Sequence, residues 1–151
     1  MIETDWYRFS VLAIELGDYR LKLLADRANL VQLVRTALKE PRQREVAFEL
    51  IYHMQAEEVQ ELLPLLLDLA CFANRYINLA QLAIRALPRR WLMEHIGEPA
   101  NKILAKLTGE EFGPLLRLLM EVHPEFGVEV ARARLSDPDE SIREIARAFL
   151  E

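Results

Sequence analysis

Apolar residues return every three or four positions along almost the whole chain, and prolines cut these runs into short pieces. A 3.6-residue period gathers such residues on one face of a helix, whereas a half-buried strand needs strict alternation. Seven prolines and five glycines in 151 residues serve as punctuation. Ser and Thr are scarce: Thr4, Ser10, Thr36, Thr108, Ser136 and Ser141 complete the set. Sheets and their turns use these residues heavily, so the pattern predicts an all-α fold with at least seven helices and no sheet.

The punctuation places the helices. A first helix runs from Asp5 to Leu16 and stops at Gly17, a natural C-terminal cap; a second covers Tyr19 to Ala25. A third spans Ala28 to Lys39, and Pro41 suits the first turn of a helix reaching Met54. Ala56 to Phe72 reads as one long helix kinked at Pro64. Asn74 can cap the next, which ends at Leu87-Pro88. Gly97-Glu98-Pro99 divides Arg89–Leu107 into two short helices. Thr108 and Glu111 have capping-box spacing for a helix to Val122, and Pro124 opens another to Leu135. Asp137 as cap, Pro138 in the first turn and the acids Asp139 and Glu140 start the last helix, to Leu150. No loop exceeds a few residues, so the expectation is a single domain over 1–151.

Four helices share an apolar register centred on Ala47, Ala83, Leu116 and Ala146, at separations of 36, 33 and 30 residues. Each follows another apolar helix, which makes a repeating helical hairpin that buries its faces by stacking on neighbours. The run Leu135-Ser-Asp-Pro-Asp-Glu-Ser-Ile-Arg-Glu-Ile-Ala-Arg-Ala-Phe-Leu150 resembles the second half of a HEAT repeat. The matching positions are the turn residues Asp137 and Asp139, the pair Ile142-Arg143 and the small Ala146. Leu62-Leu-Pro-Leu-Leu-Leu-Asp-Leu69 looks like a HEAT first helix, its proline included. The resemblance implies a short right-handed α-solenoid of about four HEAT-like or armadillo-like hairpins. Residues 1–27 would be capping helices and residues 28–151 the repeats. It further implies a protein-recognition scaffold.

If the second helix of each hairpin lines a concave face, the residues opposite each buried centre point outward. This reasoning selects Glu45, Glu49, Tyr52, Gln81, Arg85, Leu118, Glu121 and Glu144 as a partner-binding row, beside Pro114 and Ala148. Tyr52, Gln81, Arg85 and Leu118 would be its centre, because aromatic, arginine and exposed leucine side chains carry interface energy. Glu45, Glu49, Glu121 and Glu144 would form an acidic rim, favouring a protein partner with a Lys- or Arg-bearing segment.

Catalytic and ligand chemistry finds little footing. His53, His95 and His123 have no chelating spacing, and no Cys-x2-Cys occurs, so no metal is expected. Cys71 stands among Leu69, Ala70, Phe72 and Ala73 and reads as a buried structural thiol. The acids Glu57, Glu58, Glu61, Glu110 and Glu111 sit at helix starts, where they complement the helix dipole. No phosphate loop or nucleophile elbow is present, so no catalytic residue or cofactor is assigned. Arg89-Arg90-Trp91 faintly echoes a base-stacking site, but a net charge of -5 argues against nucleic acid. HEAT-like phycobilin lyases and alkyl-base DNA glycosylases set an enzymatic alternative. A lyase-like factor calls for a deep apolar groove, and a glycosylase for a basic groove holding an acid and a tryptophan. The single cysteine, the acidic N-terminus without a signal-peptide pattern and the absence of a long apolar run predict a cytoplasmic protein with no membrane span.

Overall fold

The computed structural model describes residues 1–151 and contains eleven helices and no strand. The chain divides into two compact units, Met1–Met54 and Gln55–Glu151.

The first unit holds α1 (Ile2–Ala25), α2 (Arg27–Lys39) and α3 (Arg44–Ile51). The expected stop at Gly17 does not occur, and residues 2–25 form one continuous helix. Gly17 keeps a negative φ. A glycine inside a helix costs only about 1 kcal/mol against alanine, which the helix formers on either side outweigh. The helix ends at Asp26 instead. α2 packs on α3 and turns Leu30, Val34 and Leu38 inward at i, i+4, i+8 spacing, while α3 buries Ala47, Phe48, Leu50 and Ile51. Pro41 lies in the turn before α3 rather than inside it. Arg44 Nε donates to the Leu38 carbonyl at 2.8 Å and satisfies an orphan acceptor in the last turn of α2. α1 meets α2, and Arg20 reaches Glu49 of α3 at 2.5 Å. No residue of α1 is buried.

The second unit holds α4 (Ala56–Gln60), α5 (Leu63–Cys71), α6 (Ile77–Arg85), α7 (Arg89–His95), α8 (Gly97–Leu104), α9 (Gly109–Val122), α10 (Pro124–Ala133) and α11 (Glu140–Leu150). The single helix expected over Ala56–Phe72 is two. Pro64 stands in the first turn of α5, where its missing N–H is not needed, so the proline restarts a helix instead of kinking one. Asn74 ties the end of α5 to the start of α6. Its Nδ2 donates to the carbonyls of Leu69 and Phe72, and its Oδ1 accepts from Tyr76 N. The break at Ile96 between α7 and α8 and the Thr108–Glu111 capping box of α9 agree with expectation. At the last helix the cap moves two residues on. Asp139 caps α11 through Ser141 N, while Asp137 accepts from Asp139 N and Arg134, leaving Pro138 ahead of the helix.

α9 is the centre of this unit and packs against α5, α7, α10 and α11. It buries Phe112, Leu115, Leu116, Leu118, Leu119 and Val122, a surface too wide for one neighbour. α10 closes on it at Gly127, where a Cβ would lie 3.0 Å from Met120 N. Among the expected repeat centres, Ala47, Leu116 and Ala146 are fully buried. Ala83 is only half-buried, a correction for α6. Its inward face is Ala80, Gln81 and Ile84, the ridge with which it packs on α5.

Candidate interaction surfaces

Two members of the sequence-derived row change sides. Leu118 is fully buried, not an exposed anchor, because α9 is covered on several sides. Gln81 is buried as well, because α6 is rotated relative to the expected register. Its Nε2 donates to the Ala70 carbonyl at 3.2 Å, and its Oε1 accepts from Arg85. Arg85 grips Glu121 through Nε at 2.5 Å and Nη2 at 3.2 Å. Gln81, Arg85 and Glu121 therefore form a polar strap between α6 and α9, with Nε and Nη2 of the arginine engaged. Both side chains of the pair are more than a third exposed, so solvent screens it and a partner's carboxylate competes with Glu121 for the guanidinium.

The other members remain at the surface. Glu144 is exposed on α11 and Ala148 with it, whereas Pro114 is half-buried. In the first unit Tyr52 is highly exposed at the end of α3, its ring edge-on to His53, and Glu45 is exposed beside it. Glu49 is half-buried and occupied by Arg20, with His53 Nε2 3.8 Å away.

A groove in the second unit holds the nearest approach to a chemical site. It has a volume of about 410 Å³, and Pro64, Asp68, Trp91, His95, Lys102 and Lys106 are among its lining residues. The Trp91 and His95 rings stack at 4.4 Å between centroids, and His95 Nδ1 lies 2.8 Å from the Trp91 carbonyl. Asp68 Oδ1 is buried without a hydrogen bond, and Lys106 Nζ approaches it to 3.5 Å as an ion pair. The groove has the acid and the tryptophan that the glycosylase alternative asks for. Its walls, however, carry three carboxylates (Glu61, Asp68, Glu98) against two lysines, so it is not a basic groove.

Cys71 is buried on α5, and burial pushes its thiol up to about 12, helped by the charges of Asp68 and Glu111. A thiol held neutral in this way is not a nucleophile at ordinary pH. No group of three or more His, Cys, Asp or Glu side chains is arranged to hold a metal ion. No helix is long and apolar enough to cross a membrane.

The largest unexplained surface lies elsewhere, on α1. Eleven large apolar side chains of this helix are exposed, among them Trp6, Tyr7, Phe9, Leu12, Leu16 and Tyr19. The second unit, nearly twice as long, exposes only Leu79, Leu82, Met93 and Leu135. Soluble proteins rarely leave a contiguous apolar patch of this size uncovered. Reading residues 1–27 as caps passed over it. The signal was in the composition of the helix, where large apolar side chains fall on every side, between the polar residues Glu3, Thr4, Asp5, Arg8, Ser10, Glu15, Asp18, Arg20 and Lys22.

No family model, curated protein or solved structure matches the chain.

Proposed function

We propose that this chain is a protein-interaction module, a short HEAT-like α-solenoid without catalysis of its own, and that it docks through α1. The observation that carries the reading is the exposed apolar perimeter of α1. Large apolar side chains stand on every side of this helix, between its charged ones, and none of its residues is buried in its own unit. The succession of packed neighbours α5–α6, α9–α10 and α10–α11 and the HEAT-like run at Leu135–Leu150 support the solenoid part. The acids Glu45 and Glu49 on α3 and Glu121 and Glu144 on α9 and α11 then belong to the solvated faces of their own units rather than to the primary contact.

The test is site-specific photo-cross-linking in cells. A benzophenone side chain at Phe9 or Leu12 should give a discrete protein adduct, and the same probe at the exposed Leu135 of the second unit should not. Absence of any adduct from either α1 position removes the interaction reading.

A further inference from the structure

Resting on that reading, we propose that the partner covering α1 is a second copy of this chain, bound through an antiparallel pairing of the two α1 helices. Phe9, Leu12, Leu16, Tyr19 and Leu23 advance by 3, 4, 3 and 4 residues. That is the heptad seam by which two helices pack knobs into holes. The five side chains are 62%, 63%, 52%, 64% and 37% exposed, so the seam is open along its length. The other apolar stripe, Tyr7, Val11, Ile14 and Leu21, is interrupted in the same register by Asp18.

Area supports a self-complementary dimer. Side chains of this size present roughly 100–200 Å² each when free. At the observed exposures the five contribute roughly 500 Å² per copy, and Trp6, stacked on Phe9 and 67% exposed, brings the total to about 650 Å². Two copies would bury about 1,300 Å², within the range of specific interfaces.

Charge sets the direction. The first turn of α1 is acidic, with Glu3 and Asp5, and the last turn carries Lys22. Two acids continue the seam, Asp5 four residues before Phe9 and Asp26, the C-cap, three residues after Leu23. Parallel pairing would set Asp5 against its own copy. A two-fold axis opposite residue 14 instead pairs Phe9 with Tyr19, Leu12 with Leu16 and Asp5 with Leu23 of the other copy, next to Lys22. Each contact then occurs twice, as a closed dimer requires. A membrane surface is a poorer fit. The helix carries four acids (Glu3, Asp5, Glu15, Asp18) against three bases (Arg8, Arg20, Lys22), whereas helices that lie on anionic lipid favour Lys and Arg.

The purified chain is tested by sedimentation velocity at about 100 µM, well above a micromolar Kd. The expected species is a dimer of the 17.5 kDa chain. Leu12→Glu and Leu16→Glu should each give a monomer with an unchanged helical circular dichroism spectrum. Leu82→Glu, on an exposed apolar position of the second unit, should leave the dimer intact. Under mild oxidation, a mixture of Asp5→Cys and Leu23→Cys chains should form a disulfide-linked dimer that neither variant forms alone. A monomeric wild-type chain, a higher oligomer, or a dimer indifferent to Leu12→Glu overturns the proposal. Cross-linking of Asp5→Cys to itself overturns the antiparallel arrangement, and a monomer that co-sediments with phosphatidylserine vesicles replaces the second copy with lipid. A monomer whose Phe9 probe still captures another protein in cells overturns self-pairing but leaves the interaction reading standing; a monomer with no adduct removes both.

Discussion

Gly127→Ala sets a gain in helix propensity against a collision, and the structure decides the sign. Replacing a glycine inside a helix with alanine gains about 0.5–1 kcal/mol. At Gly127 the added Cβ would lie 2.9 Å from Met120 Sδ, 3.0 Å from Met120 N and 3.2 Å from Met120 Cα. The sulfur can swing away on a flexible side chain. The nitrogen and Cα belong to the backbone of α9, which is held by α5, α7 and α11 and cannot retreat alone. Overpacking of this kind costs about 1–3 kcal/mol. The net expectation is a loss of about 1 kcal/mol, a fall in Tm of about 2–4 °C for a chain of this length. Gly17→Ala makes the opposite case, since nothing lies within 4 Å of its Cβ, and it should gain about 0.5–1 kcal/mol in α1. Urea denaturation followed by circular dichroism measures both changes, with amide hydrogen exchange reporting on α1 separately. If Gly127→Ala proves as stable as the parent or more so, the close approach of α9 and α10 is wrong.

Leu118→Ala should cost about 2–4 kcal/mol, because the side chain is fully buried; a change below about 0.5 kcal/mol in a denaturant melt would return Leu118 to the surface. The Cys71 thiol should resist aromatic disulfide reagents in the native protein at pH 8 and react at once in urea. Its folded pKa, about 12, lies above the ordinary 9.0, so its contribution to stability is complete below pH 9 and is lost as pH rises from 9 towards 12. Denaturant midpoints across that range should fall more steeply for the parent than for Cys71→Ala. Thr108→Ala should cost about 1 kcal/mol by undoing the capping box. Glu111, now held below 4.5 chiefly by its hydrogen bond with the Thr108 side chain, should titrate closer to that value by NMR. Its depressed pKa gives a contribution present above pH 4.5 and lost as pH falls through the lower folded value, and Thr108→Ala should shrink that acid limb, leaving the part owed to the backbone N–H of residue 108. A double-mutant cycle on Arg85 and Glu121 should return a coupling below about 1 kcal/mol, since both side chains are more than a third exposed.

The sequence by itself determined the class of the fold and most of its boundaries. Helix periodicity and local capping act over three or four residues, so the Thr108–Glu111 box, the Ile96 break and the Pro124 start were legible without neighbours. Where a residue's role depends on what lies beside it, only tertiary structure could decide. Pro64 could kink a helix or begin one, and the packing of α5 against α6, α8 and α9 accompanies the second outcome. Leu118 lies opposite the buried centre of its helix on a wheel, yet α9 has neighbours on several sides and no outward apolar face. Gln81 is polar and its wheel position points to solvent, but the Ala70 carbonyl gives its amide a partner, which is what lets a polar group be buried. The reverse holds at α1. Its hydrophobic perimeter is written in the sequence, but that eleven large apolar side chains stay uncovered is a property of packing. Burial is a relation between elements distant in the chain, and no local pattern records which surfaces are left without a neighbour.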